Sequence, residues 1–274
     1  MLAMALALIA APAFAADIAR PVYKAPPAPV VTYNWTGFYV GGNAGWYNFD
    51  TDQTSRPAND LTAAAWTACF NAGSCVRNFG GQSGDGFIGG VQAGYNWQTS
   101  NVVFGVEADW NWTSKSGTAS IARNVAFIPE FTGTATTEMD WLGTVRGRAG
   151  ILVSPNLLAY ATGGWAYGQV NRTFNAGYST LGQTYSGSSK EILNGWTLGG
   201  GIEWAFGNGW SLGAEYLYVK LNGDGGYTSS AYGSGCNASF CQYAITSTDV
   251  TENIVRAKLN YKFDWGKAPV MAKY

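Results

Sequence analysis

Apolar and polar side chains alternate with a period of two along eight separate stretches of this chain. The last of them, residues 255–263, is the clearest. Val255, Ala257, Leu259, Tyr261 and Phe263 interleave with Arg256, Lys258, Asn260 and Lys262. Successive side chains of a strand point to opposite faces, so this stretch predicts a strand with one apolar, aromatic face and one cationic face. Residues 38–47 set Phe38, Val40, Ala44 and Trp46 against Tyr39, Asn43 and Tyr47. Residues 87–97 set Phe87, Val91, Ala93, Tyr95 and Trp97 against Gln92 and Asn96. Residues 102–112 set Val102, Phe104, Val106, Ala108, Trp110 and Trp112 against Glu107, Asp109 and Asn111. Residues 140–152 set Trp141, Val145, Ala149 and Ile151 against Asp140, Thr144, Arg146 and Arg148. Residues 157–170 alternate less cleanly; Leu158, Tyr160, Ala166 and Val170 are taken as the outer face, with Trp165, Tyr167 and Gln169 inward. Residues 196–206 set Trp196, Leu198, Ile202, Trp204 and Phe206 against Thr197 and Glu203, and residues 210–221 set Leu212, Ala214, Tyr216 and Tyr218 against Ser211 and Glu215.

Two architectures use such strands. A soluble β-sandwich turns its polar faces to water, whereas a transmembrane barrel turns its apolar faces to lipid and its polar faces to the lumen. Segments of roughly 10 residues match tilted membrane-spanning strands. The connections alternate in length: tight at 98–101, 153–156 and 207–209, long at 48–86, 113–139, 171–195 and 222–248. That is the outer-membrane pattern of periplasmic turns and extracellular loops. Trp46, Trp97, Trp110, Trp112, Trp196, Trp204 and Trp210 lie at or near strand ends, where aromatic girdles sit. The alternation, the loop lengths and the tryptophan positions predict an all-β, eight-stranded, antiparallel up-and-down transmembrane barrel in the outer membrane, with three short periplasmic turns and four long extracellular loops.

The N-terminus agrees. Residues 1–15 form an apolar run ending Ala13-Phe14-Ala15, the shape of a secretory signal peptide. Residues 16–34, with Pro21, Pro26, Pro27 and Pro29, read as an extended periplasmic linker. The barrel is assigned to 35–265 and a C-terminal tail to 266–274.

Composition narrows the chemistry. Charged residues are 12% and aromatics 15%, with 12 Trp, against about 25% charged in ordinary soluble domains; this suits a surface wetted by lipid. A net charge of −1 supplies no electrostatic footprint for nucleic acid. The four cysteines, Cys69, Cys75, Cys236 and Cys241, fall in two close pairs. In an exported chain, disulfides Cys69–Cys75 and Cys236–Cys241 are expected, with a zinc site as the alternative.

Three stretches, residues 35–42, 160–168 and 253–263, resemble signature segments of the RopB-like small outer-membrane proteins of alphaproteobacteria, a family similar to the OmpA-type and OmpX-type eight-stranded barrels. The resemblance runs from about Trp35 to Trp265. It implies an abundant surface protein with an envelope role and no assigned catalytic residues.

Candidate function lies in the inward charges. Glu107, Asp109, Arg146, Arg148, Glu203, Glu215, Arg256, Lys258 and Lys262 project to the predicted lumen with acids and bases on adjacent strands, within cross-strand reach. Buried charges pair, and eight strands enclose an interior that side chains can fill. The expectation is a plugged, envelope-supporting and surface-presenting barrel; the alternative is a small-conductance channel whose charges line an ion path. There is no histidine, the commonest general base and a usual haem ligand, so neither catalysis nor a cofactor is expected. Met139 or a loop tyrosine is the alternative haem ligand in principle, with nothing in the sequence pointing to either. Asp50, Asp52, Asp60 and Asp85 read as solvated turn residues. The expected partners are outer-membrane lipid and lipopolysaccharide, the barrel assembly machinery, and host or envelope proteins met by the loops.

Overall fold

The computed structural model describes residues 33–57, 78–114, 116–125, 128–178, 183–223, 226–232 and 242–263, all in one compact unit. The signal-peptide assignment, most of the linker, the tail, the four cysteines and Asp60 lie outside the described residues.

Ten strands follow one another in the chain: β1 (Gly37–Pro57), β2 (Asn78–Thr99), β3 (Val102–Thr113), β4 (Ser116–Val125), β5 (Ile128–Ser154), β6 (Leu157–Tyr178), β7 (Gln183–Gly207), β8 (Trp210–Asn222), β9 (Gly226–Tyr232) and β10 (Gln242–Lys262). Eight of them, β1, β2, β3, β5, β6, β7, β8 and β10, pair antiparallel in that order, and β10 closes on β1. Closure leaves no sheet edge in lipid, the condition a membrane-crossing sheet must meet.

The three tight turns all lie at one end. In the third, Asn208 and Gly209 adopt φ of 51° and 84°, the left-handed pair that a two-residue hairpin needs and that Asn-Gly supplies. At the other end the described parts of the expected loops are largely strand. β5 runs for 27 residues and β7 for 25, and the short β4 and β9 pair with β5, and with β7 and β10. Asp50, Asp52 and Asp85, expected in turns, sit on the paired strands β1 and β2.

Outward positions form an apolar band: Val91, Phe104, Val106, Val145, Ile151, Leu198, Ile202, Leu212, Val255 and Leu259 are all exposed. Two expectations are corrected. The face of β6 is inverted: Leu158, Tyr160, Ala166 and Val170 are buried, while Trp165 is 52% exposed and Tyr167 and Gln169 lie on the outer side with it. The cause is that inward positions at both ends of this lumen are apolar, so polarity alone misorients a strand whose middle is Gly163-Gly164. Asp140, expected inward, faces out. A bulge between Met139 and Trp141 places both Asp140 and Trp141 on the outer wall, as an extra residue in one strand of a pair does.

The interior is stacked in layers. Trp35, Val103, Leu158, Tyr160 and Ala205 form a floor at the turn end. Trp35 is 1% exposed and is brought under the barrel by residues 33–36, where its backbone N–H donates to Gln98 Oε1 at 2.8 Å and the Gln98 backbone N–H donates to Thr36 Oγ1 at 2.9 Å. Above the floor lies a charged layer. Above that, Tyr47, Phe49, Met139, Leu142, Val170, Leu217, Val219, Leu221, Val250 and Ile254 make an apolar layer. Met139 is therefore packing, buried among aliphatic neighbours.

Candidate functional site in the barrel lumen

The charged layer draws on five strands. Glu107 and Asp109 come from β3, Arg146 and Arg148 from β5, Glu203 from β7, Glu215 from β8, and Arg256 and Lys258 from β10. Antiparallel register puts Glu107 beside Arg146 and Arg256 beside Glu215. All eight are at most 5% exposed.

Arg146 is the hub. Its Nη2 lies 2.5 Å from Glu107 Oε1 and 2.9 Å from Asp109 Oδ2, and its Nη1 lies 3.2 Å from Glu215 Oε1. Arg256 Nη2 reaches Glu215 Oε2 at 2.6 Å and Asp109 Oδ2 at 2.9 Å. Lys258 Nζ bridges Glu107 at 2.7 Å and Glu215 at 3.2 Å. Arg148 Nη2 holds Glu203 at 2.8 Å. Four carboxylates thus face four cations, and the layer is neutral.

Neutral groups fill most of the remaining hydrogen-bonding positions, Arg148 Nε being left without a partner among the described residues. The Tyr39 hydroxyl donates to Glu107 (2.7 Å) and the Tyr160 hydroxyl to Glu215 (2.8 Å). Thr144 donates to Asp109 (2.9 Å), Ser211 to Glu203 (2.5 Å) and Asn260 Nδ2 to Glu203 (3.0 Å). The Arg148 guanidinium also lies 4.1 Å from the centre of the Tyr160 ring, a cation–π contact. Buried charges persist when they are both paired and hydrogen-bonded, and this layer supplies both.

Lys262, grouped with these residues by the alternation, sits apart at the turn-end mouth, its ammonium 5.1 Å from the centre of the Tyr33 ring. Among the neutral partners, Tyr39, Thr144, Ser211 and Asn260 carry a sequence signal, standing on the faces read as inward, whereas Tyr160 carries none, its face of β6 being read as outward.

A second buried carboxyl lies higher. Glu252 on β10 is 0% exposed and neither of its oxygens has a hydrogen-bond partner among the described residues. It stands opposite Phe49 and Val219 in the register. The outward residues at this level, Asn48, Asp50 and Asn253, are polar, so Glu252 lies above the apolar band. Burial alone pushes its carboxyl up from 4.5 to about 8, since desolvation disfavours the charged form. Other polar groups on inward positions toward the extracellular end are Arg172, 3.5 Å from Glu191, and Thr137, which donates to Gln82 at 2.8 Å.

Among the described residues, no group of three His, Cys, Asp or Glu is placed to hold a metal ion. The charged layer offers no free carboxylate or uncharged base for proton transfer; every acid is already engaged by a cation.

The comparisons with known proteins agree with the architecture. Residues 1–263 match the family described as outer membrane protein beta-barrel domain. The chain is 35% identical over 275 residues to the 31 kDa outer-membrane immunogenic protein of Brucella melitensis biotype 1, spanning 96% of this chain and 98% of that protein. It is 30% identical over 196 residues to the 22 kDa outer membrane protein of Rhizobium leguminosarum bv. viciae, spanning 72% of this chain and 68% of that protein. Among solved structures, the outer membrane protease OmpT from Escherichia coli aligns with a TM-score of 0.45 at 9% identity, covering 86% of this chain and 99% of that one.

Proposed function

Since the chain belongs to the outer membrane protein beta-barrel family and resides in the outer membrane, we propose that it acts as a closed, surface-presenting barrel that supports envelope integrity rather than as a conduit. One observation carries this reading: the neutral charged layer is packed between an aromatic floor and an apolar layer, so the lumen is occupied by side chains at three successive levels. The ring strands meanwhile continue past the apolar band, with β4 and β9 paired beside them. A rigid scaffold that carries exposed segments is where binding surfaces usually sit. The relatives named above are described as outer-membrane proteins, one of them immunogenic, which accords with surface exposure.

Deleting the gene and measuring two properties separates this role from a channel. The expected outcome is raised sensitivity to detergent with an unchanged rate of uptake of small hydrophilic solutes. Slower uptake with unchanged detergent sensitivity would favour the small channel instead.

A further inference from the structure

The outer wall carries a feature that the lumen does not explain. A groove of about 740 Å³ crosses the lipid-facing side of β1, β2 and β3, with a floor of Gly42, Ala93 and Ala108. Trp210 and Tyr261 line its periplasmic end, and Trp110 and Tyr167 its extracellular end. The upper rings belong to a cluster. Trp110 stacks on Trp141 at 4.2 Å between centres, and Tyr167 packs edge-on against Trp141 at 5.7 Å and tilted against Trp165 at 4.8 Å. Tyr167 reaches the cluster across Gly143, where a Cβ would lie 2.6 Å from the Tyr167 ring; any larger residue there would push the ring off the groove.

Directly above these rings, still on the outer wall, the β5 bulge displays Asp140. Gln169 Nε2 donates to its Oδ2 at 2.5 Å and Asn171 Nδ2 to its Oδ1 at 2.8 Å, while Lys190 Nζ lies 3.4 Å away. Slight desolvation would raise the Asp140 carboxyl, but the hydrogen bonds from Asn171 and Gln169 and the nearby Lys190 hold it below its ordinary value. The Asp140 side chain is 37% exposed and that of Lys190 64%. A carboxylate and an ammonium on the outside of a barrel are costly in hydrocarbon, so this cluster belongs at headgroup level.

We propose that the groove and the polar cluster form one site for a single outer-leaflet lipopolysaccharide molecule. An acyl chain lies over Gly42, Ala93 and Ala108, the sugar ring rests on the aromatic cluster, Asp140 accepts from sugar hydroxyls, and Lys190 faces a phosphate. The match is amphipathic: an apolar furrow inside the band ends at rings and hydroxyl-binding groups that a plain phospholipid headgroup would leave unused. Ring faces and carboxylate–amide sets suit a saccharide, and the exposed ammonium suits its phosphate.

The test uses the full-length protein folded in detergent, with folding of each variant checked by heat-modifiable mobility. Retention of deep-rough lipopolysaccharide and of phosphatidylethanolamine is measured by native mass spectrometry. One lipopolysaccharide should be retained about tenfold more strongly than the phospholipid. Ala108→Trp, which fills the groove, should abolish that preference. Lys190→Glu should weaken binding of the phosphorylated lipid and leave binding of the enzymatically dephosphorylated lipid unchanged. Leu198→Trp, on the opposite wall, should change nothing. Equal retention of the two lipids, an equal loss with Leu198→Trp, or a groove-dependent dimer in place of a bound lipid would each overturn the proposal.

Discussion

Glu215 and Glu252 project into the same lumen from the paired strands β8 and β10, and both are buried. Glu215 meets Arg256, Lys258 and Arg146 and accepts from Tyr160. Glu252 meets Phe49 and Val219 across its two strand pairings, with Val250 and Ile254 as its inward neighbours on β10. The two carboxyls differ in height, not in burial. At the level of Glu215 the neighbouring strands turn guanidinium, ammonium and phenol groups inward; at the level of Glu252 they turn aliphatic and aromatic carbon inward. The lumen therefore holds one carboxyl by charge pairing and the other by keeping its proton.

The largest effect should come from breaking the pairing. Arg146→Ala leaves Glu107, Asp109 and Glu215 short of their shared cation. Removing one partner from a buried ion pair costs about 3–5 kcal/mol, read as a lower urea midpoint or a lower temperature at which the folded gel band is lost. An unchanged midpoint would mean that the layer contributes little to holding the barrel together.

Next comes the unpaired carboxyl. In the unfolded chain Glu252 ionises near 4.5, in the fold near 8. Between those values the folded state binds more protons than the unfolded state, so stability falls as pH rises across that window and levels off above it. The loss should be on the order of a few kcal/mol, at ~1.36 kcal/mol per pH unit across the window. Glu252→Gln should flatten that slope and leave the barrel more stable than the parent at pH 8. The same slope in both proteins would place its origin elsewhere.

The smallest effect concerns an ion pair outside the lumen. Lys220 and Asp249 lie 2.7 Å apart on the outer surface, where water and salt screen the attraction. Lys220→Ala should leave the unfolding midpoint where it is, despite a contact as short as those around Arg146. A clear drop would contradict the view that burial sets the worth of these pairs.

Much of this lumen is legible in the sequence, for a specific reason. In β3 and the lower half of β10 the inward residues are mostly charged or polar and the outward ones aliphatic or aromatic, and in β8 Ser211 and Glu215 mark the inward face before it turns apolar at Leu217, so Glu107, Asp109, Glu215, Arg256 and Lys258 declare their side by alternation. β6 defeats the same rule. Its inward Leu158, Tyr160, Ala166 and Val170 serve the floor and the apolar layer, while its outward Tyr167 and Gln169 serve the membrane interface; both faces look amphipathic, and the polar one is the wrong guide. Asp140 is misplaced because a single-residue bulge shifts the period, and nothing in Glu138-Met139-Asp140-Trp141 announces a bulge. Glu252 lies three residues above the segment read as the last strand. It sits between the expected loop 222–248 and that strand, where the alternation is not yet clear, and the ladder to β1 and β8 continues through it. Trp35 precedes the first strand, and only the folded path of residues 33–36 brings it beneath the lumen.

Single-channel recording in planar bilayers tests most directly whether the lumen is closed by its own side chains. The purified protein should give no sustained openings, and Arg146→Ala, which unbalances the layer, should give more current than the parent. Robust, uniform openings by the parent protein, unchanged in Arg146→Ala, would show that ions pass without meeting the charged layer and would contradict the plugged barrel.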